Sequence, residues 1–263
     1  MKELLQVEHL TKNFGGLTAV SDVSLNVNDN ELIALIGPNG AGKTTIFNLL
    51  TGVNVPTSGT VKLKINQKME TLNGKSVNSI ADLGIARTFQ NIRLFEQLTV
   101  LQNVMIGMTS KVEESLFSEI LRLPHFYATE EQITTKAMDL LKFFNLESMS
   151  NQKASNLAYG EQRRLEIARA LATKPKILFL DEPAAGMNPN ETADLTETIK
   201  MIRNKFKIAV VLIEHDMNLV MDLATRIYVL EYGKLIAEGS PAEIQNNEKV
   251  IKAYLGGDDS EFA

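Results

Sequence analysis

Three stretches of the chain are apolar without interruption and short: Leu32-Ile-Ala-Leu-Ile36, Ile177-Leu-Phe-Leu180 and Ile208-Ala-Val-Val-Leu-Ile213. Runs of this length, rich in Ile, Leu and Val and bounded by polar residues, predict strands covered on both faces, as in a parallel sheet. Residues 4–10, 20–27 and 60–65 read differently. In the second of these, Val23, Leu25 and Val27 alternate with polar residues, which predicts strands with one wet face. From 98 to 146 the pattern changes again. Glycine is almost absent and apolar residues fall at helical spacings (Leu101, Val104, Met105, Met108, then Ile133, Ala137, Leu140, Leu141, Phe144), with the methionines as core filler. A strong helix is expected over Arg163–Leu171, another at about 190–205, a hairpin over 226–238, and two short helices at about 241–255. The reading is an α/β chain with a parallel-sheet core at 1–90 and 171–255, an inserted helical subdomain at 91–170, and a flexible tail at 256–263.

The chemistry sits where the strands end. Gly37-Pro-Asn-Gly-Ala-Gly-Lys-Thr-Thr45 follows the first buried run and precedes a helical stretch, and it fits G-x-x-x-x-G-K-[ST] with Gly37, Gly42, Lys43 and Thr44 in register. Glycines allow successive N–H groups to point inward at oxyanions, and the helix N-terminus adds its dipole. Lys43 brings a full charge to the β- and γ-phosphates, and the Thr44 hydroxyl is placed to ligate Mg2+. The second buried run ends in Asp181-Glu182. A carboxylate released at the carboxyl end of a buried strand stands where α/β sheets bind ligands. Asp181 can hold Mg2+ through water, and Glu182, one residue on, can reach a water attacking the γ-phosphate. The third run ends in Glu214-His215-Asp216, so His215 leaves the sheet at the same edge and can contact the γ-phosphate. Phe14 either stacks on a base or belongs to the core. Gly160, immediately before the Arg163–Leu171 helix as a glycine turn that opens it, is a weaker anion-site signal. His125 has no metal-spaced companion and reads as structural or surface.

Taken in order, these pieces resemble the ATP-binding subunits of ABC transporters. The phosphate loop, Gln90, Leu157-Ala-Tyr-Gly-Glu-Gln162, Asp181-Glu182 and His215 match that family's Walker A, Q-loop, signature, Walker B and switch histidine, and the likeness covers almost the whole chain. It implies a P-loop ATPase fold of the ABC type, with a parallel-sheet core, an antiparallel β subdomain and a helical subdomain. It implies two subunits paired head to tail with ATP between one Walker A and the other's signature, here Ala158, Tyr159, Gly160 and Glu161. ATP and Mg2+ are the implied ligands. Gly37, Pro38, Asn39, Gly40, Ala41, Gly42, Lys43, Thr44 and Thr45 cradle phosphate. Thr44 and Asp181 hold Mg2+, with Gln90 touching the metal or a water. Glu182 is the base, His215 holds the γ-phosphate and Phe14 stacks on adenine.

Asn156–Arg169, Glu182–Pro189, Arg87–Phe95 and Ala253-Tyr-Leu-Gly256 are similar to the larger ATP-binding subunit of bacterial branched-chain amino acid importers. The partners this implies are a second ATP-binding chain (or another copy of this one), transmembrane permeases, and a periplasmic or lipid-anchored binding protein. The implied location is the cytoplasmic face of the inner membrane, peripheral. Urea, amide and lipopolysaccharide systems carry similar ATPases, and a soluble ABC ATPase of the iron–sulfur assembly type is the rival class. Two departures from the family pattern stand out. Ala158 replaces the signature serine and Tyr159 its first glycine, which removes a hydroxyl whose bond to a phosphate is worth about 1.5–3 kcal/mol. Asn188 stands where the family usually has Asp.

Composition narrows the rest. The 263 residues are 44% hydrophobic with net charge −5, which supports a large core and disfavours a protein built to coat nucleic acid. There is no cysteine, so disulfides and thiolate metal sites are excluded. Charges interrupt the N-terminal stretch, so no secretory segment is expected, and no window approaches about 18 consecutive apolar residues.

Overall fold

The computed structural model describes residues 2–109 and 124–255. The expected tail at 256–263 and part of the long helical stretch lie outside the described residues, as does the side chain of His125. The chain forms two compact units, Met1–Arg87 with Lys176–Ala263, and Thr88–Pro175.

The first unit carries two sheets. One has four antiparallel strands in the order β2-β1-β4-β5: β1 (Glu3–Phe14), β2 (Leu17–Asn28), β4 (Ser58–Ile65) and β5 (Lys68–Thr71). The other has six strands in the order β10-β9-β3-β8-β7-β6: β3 (Leu32–Ile36), β6 (Ile85–Arg87), β7 (Ile177–Asp181), β8 (Ala209–Ile213), β9 (Arg226–Glu231) and β10 (Lys234–Gly239). All its pairings are parallel except the β9–β10 hairpin. Every residue of β3, β7 and β8 is buried, which is why these strands read as unbroken apolar runs. Helix α1 (Lys43–Leu50) shares one core with both sheets: its Ile46, Phe47, Leu49 and Leu50 cluster with Leu5, Val23 and Val61 on one side and with Leu35, Phe179 and Ile213 on the other. Phe47 meets Phe179 edge to face, with centroids 5.1 Å apart.

Polar contacts tie the sheets together. Arg226 on β9 donates to Glu31 at 2.9 Å and to Asn26 on β2 at 2.8 Å. The Tyr228 hydroxyl also reaches Asn26, and its pKa is pushed up to about 12 by burial. The chain leaves this unit after β6 and returns beside it, where Lys176 N–H donates to Gly84 C=O at 2.7 Å. The remaining helices are α2 (Val77–Asp82), α6 (Pro189–Phe206), α7 (Met217–Leu223), α8 (Pro241–Gln245) and α9 (Glu248–Leu255). Strand β5 and helices α2 and α7 fall in stretches where no element was expected; each is short, and β5 is exposed throughout, so no apolar period marks it.

The second unit packs α3 (Val100–Thr109), α4 (Pro124–Phe143) and α5 (Tyr159–Ala172). Val104, Ala137, Leu140, Leu141 and Phe144 of the expected stripe are buried, as are Leu165, Ala168 and Leu171 of α5, but Leu101, Met105, Met108 and Ile133 are only half-buried, and α3 turns Val100, Asn103, Val104 and Gly107 inward. Pro124 opens α4, where a missing N–H costs nothing.

Candidate functional site

The Gly37–Thr45 loop joins β3 to α1, and two of its glycines are dictated by the packing. Gly37 has φ +150°, and a Cβ there would stand 2.1 Å from the Leu230 carbonyl oxygen on β9; at Gly42, φ +100°, it would stand 2.6 Å from the Ala19 oxygen. Only glycine fits either place. Gly42 is also the N-cap of α1, so no side chain caps the helix, and no acidic residue sits in its first turn. That leaves an electropositive helix end facing the loop.

Lys43 is buried and folds back on the loop, donating to the Gly37 carbonyl at 2.6 Å and the Pro38 carbonyl at 3.0 Å. Burial pushes its pKa down, while the charge of Glu182 opposes the shift. The ammonium therefore sits close to the acidic strand end, held by carbonyls that an anionic ligand can replace.

Asp181 closes β7 and Ile213 closes β8 directly beside it. Glu182 follows with φ +46°, a conformation costly for a residue with a Cβ and typical of functional positions. Its N–H donates to the Ile213 carbonyl at 2.9 Å, and its Oε1 lies 3.1 Å from His215 Nε2. An open cleft of about 560 Å³ is lined by Phe14, Asn39–Thr45, Glu182 and His215, with Leu17 and Tyr232 at its border. The structure thus gathers Phe14, Asn39, Gly40, Ala41, Gly42, Lys43, Thr44, Thr45, Glu182 and His215 around one space. Phe14 is 46% exposed, which removes the core alternative for it.

Asp181 is less accessible than sequence reasoning supposed. Its Oδ2 accepts from Arg87 Nη2 at 2.6 Å, and the pair is almost wholly buried. Arg87 Nη1 also donates to Asn48 of α1 and to Thr51, the residue that caps its C-terminus. The donor set for a metal is one hydroxyl, Thr44, and one carboxylate, Asp181. Among the described residues no group of three or more His, Cys, Asp or Glu could hold a metal ion. Such a set suits Mg2+, which takes one or two carboxylates and completes its shell with water and phosphate.

The remaining predicted residues belong to the second unit. Gln90 lies in an irregular segment, and its carbonyl accepts from Arg163 at 2.8 Å. Ala158 is the N-cap of α5, so the helix begins at Tyr159, with Gly160 inside its first turn rather than before it. Alanine has no side-chain oxygen; what remains of a capping box is Glu161, whose carboxylate accepts the Ala158 N–H at 2.9 Å. Tyr159 is 45% exposed. In the first unit, Asn188 has a plain local role. It is the N-cap of α6, accepting from Asn190 and Glu191 N–H at 3.0 Å, while Glu191 accepts the Asn188 N–H.

Sequence reasoning assigned no role to three residues of this region. Arg87 binds Asp181. Tyr232, with φ +45° in the β9–β10 turn, borders the cleft. Glu214 is buried and accepts from Ala184 N–H at 2.8 Å and His215 N–H at 3.1 Å, which ties the loop after Glu182 to the end of β8. Burial pushes the Glu214 pKa up, against these hydrogen bonds. For Glu214 a signal existed, a carboxylate at the end of the third apolar run.

Residues 20–185 match the ABC transporter family model, and residues 234–260 match that of the branched-chain amino acid ATP-binding cassette transporter. The chain is 49% identical over 253 residues to the high-affinity branched-chain amino acid transport ATP-binding protein LivG of Salmonella typhimurium, covering 96% of this chain and 98% of the relative. Among solved structures it is similar to the ADP conformation of MJ1267, an ATP-binding cassette of an ABC transporter, with TM-score 0.83, 32% identity and coverage of 97% and 100% of the two chains. It is also similar to the dimeric post-hydrolysis state of the cassette MJ0796 bound to ADP and Pi, with TM-score 0.75, 26% identity and coverage of 90% and 99%. Among the described residues no helix is long and apolar enough to cross a membrane.

Proposed function

The chain belongs to the ABC transporter family of ATP-binding cassettes, and from that premise we propose that it is the ATP-hydrolysing subunit that powers a membrane importer for branched-chain amino acids. One observation carries the catalytic part: Lys43, Thr44, Glu182 and His215, from three different strand ends, line a single cleft beside an uncapped helix N-terminus. The cargo rests on the match of residues 234–260 and on the relative's name.

In this reading the triphosphate enters the Gly37–Thr45 loop. Lys43 exchanges its two carbonyl partners for phosphate oxygens, and the charge gained offsets the burial that lowers its pKa. Thr44 and Asp181 hold Mg2+, which when bound neutralises phosphate charge. Gln90 contributes from its own segment, and the stretch from Gln90 to Phe95 with the helical subdomain lines the groove that meets the permease. Phe14 at the rim stacks on the base. Glu182, held in its uncommon backbone conformation, takes the proton of the attacking water. His215 first orients the Glu182 carboxylate across their 3.1 Å contact and then turns to the γ-phosphate. A second cassette, a copy or a paralogue, closes the site with its signature turn, as Ala158–Glu161 of this chain would close the partner's. Tighter binding of ATP to the closed pair than to the open one drives the motion. The load is a permease pair at the cytoplasmic face of the membrane, fed by a binding protein.

The test uses Glu182→Gln. This variant is expected to bind ATP normally and to hydrolyse it about 10²–10⁴-fold more slowly, accumulating a closed dimer. With Mg2+ and ATP in mild detergent, the tagged variant should bring down two multi-spanning permeases and a second cassette from native membranes. Wild-type turnover by the variant removes Glu182 as base. Recovery of soluble assembly proteins without a permease overturns the transport reading.

A further inference from the structure

The segment Phe89–Phe95 has no regular secondary structure, yet the backbone of Phe89, Gln90, Arg93 and Phe95 is tied down by side chains of the helices in its own unit, most of them buried. Arg163, fully buried on α5, donates through Nη1 to the Phe89 carbonyl at 2.7 Å and through Nη2 to the Gln90 carbonyl at 2.8 Å. Glu166, one turn on, accepts the N–H of Phe89 at 3.5 Å and of Arg93 at 3.1 Å. The two side chains pair with each other at 2.8 Å. Arg169 donates to the Arg93 carbonyl. Asn103 of α3, also fully buried, accepts the Phe95 N–H at 3.0 Å and returns a bond to its carbonyl at 3.1 Å.

A lone i,i+3 ion pair buried in a helix bundle gains little over apolar residues of the same size. This pair does something an apolar pair cannot, since it satisfies backbone groups of a segment some seventy residues away that has no ladder of its own. The fork of Arg163 spans two successive carbonyls, and Nη2 also approaches the Tyr159 hydroxyl in the first turn of α5 at 3.4 Å. One guanidinium therefore touches both the Gln90 segment and the Ala158–Glu161 turn.

We propose that Arg163 and Glu166 are positioning residues that lock the Gln90 segment to α5, so that the segment and the signature turn at the head of that helix move as one body. Resting on the functional reading above, this makes the pair the link between what the permease does to Gln90–Phe95 and what the signature turn does to the facing ATP. Neither residue touches nucleotide. They act through Gln90 and Tyr159.

The experiment compares Arg163→Met/Glu166→Met, which removes both charges together and keeps the volume, with Arg163→Lys, which keeps the charge but lacks the planar fork that reaches Phe89, Gln90 and Glu166 at once. Amide exchange is followed in the full chain carrying Glu182→Gln, with and without Mg2+ and ATP. Without nucleotide, exchange in 88–95 should rise at least about tenfold in the double variant and less in Arg163→Lys, with the β3–β7–β8 core unchanged. With nucleotide, protection gained at 158–162 should spread to 88–95 in the parent and stop at 158–162 in the double variant. In the reconstituted importer with Glu182 intact, basal ATPase should stay within about twofold, while stimulation by cargo-loaded binding protein falls about tenfold.

Unchanged exchange at 88–95, or protection that still spreads, overturns the lock. Basal and stimulated rates falling by the same factor reduce the pair to a structural role and overturn it as well. A parent complex that no permease stimulates counts against the importer reading alone, because the exchange results without a permease still decide the lock.

Discussion

Arg87 and Asp181 offer a sharp test of the site's architecture. Replacing Arg87 with Met keeps most of the volume and removes the cation that faces the buried Asp181 carboxyl at the end of β7. The two side chains are only 8% and 4% exposed and their atoms meet at 2.6 Å. With charge centres about 4 Å apart and an effective dielectric of about 20, their attraction is about 4 kcal/mol. Breaking a buried pair by removing one partner costs about 3–5 kcal/mol in comparable cases, so the two routes agree. Arg87 also gives up bonds to Asn48 and Thr51 at 2.6 and 3.1 Å, which places the expected loss toward the upper end.

Urea unfolding of nucleotide-free protein measures it, as a midpoint lowered by roughly 1–2 M. Arg87→Met/Asp181→Asn should recover a large part of the loss, because the carboxylate is removed together with the cation it faced. Mg2+ with ATP should narrow the deficit of the single variant, since a dication beside Asp181 replaces the missing cation. A single-variant cost below about 1 kcal/mol, or single costs that add in the double variant to within about 0.5 kcal/mol, would refute the coupling.

Further outcomes can be checked separately. Gly37→Ala should abolish ATP binding or cost more than about 4 kcal/mol, because its Cβ meets a backbone oxygen at 2.1 Å, whereas Gly40→Ala, with nothing within 4 Å, meets only the backbone penalty of φ +78°; calorimetric titration of ATP and thermal melts distinguish the two. Ala158→Ser adds a cap to α5 worth about 1 kcal/mol and should tighten ATP-driven pairing, seen as a higher melting midpoint and more dimer by size-exclusion; no change in pairing counts against a phosphate role for that position. Burial holds the Glu214 pKa above its ordinary 4.5. A carboxyl raised in the fold contributes stability fully present below the unfolded value and lost as pH rises through the folded one. Glu214→Gln should therefore gain on the wild type as pH rises from about 4.5, and urea midpoints that keep a constant difference with pH would exclude the effect.

Much of this was legible in the residue order because it is local. The phosphate loop is contiguous, and its flanking strand and helix are adjacent in sequence. Strands β3, β7 and β8 are buried on both faces, so their apolar runs announce both the parallel sheet and the edge where Asp181, Glu182 and His215 emerge. The ABC likeness rests on the same contiguous stretches, which is why it survives as family membership.

What the residue order could not give is what depends on partners far along the chain. Phe14 was ambiguous until its exposure was known. Gly37 is fixed by the Leu230 carbonyl, which arrives only when β9 pairs with β3. The partner of Asp181 is Arg87, 94 residues away, and the Phe89–Phe95 segment, which has no hydrophobic period at all, owes its shape to Arg163, Glu166 and Asn103. Hydrophobic periodicity reports which face of an element is buried. It carries no information about which buried polar side chain completes a backbone or a charge elsewhere, since that is settled only when the elements pack and every buried polar group must find a partner.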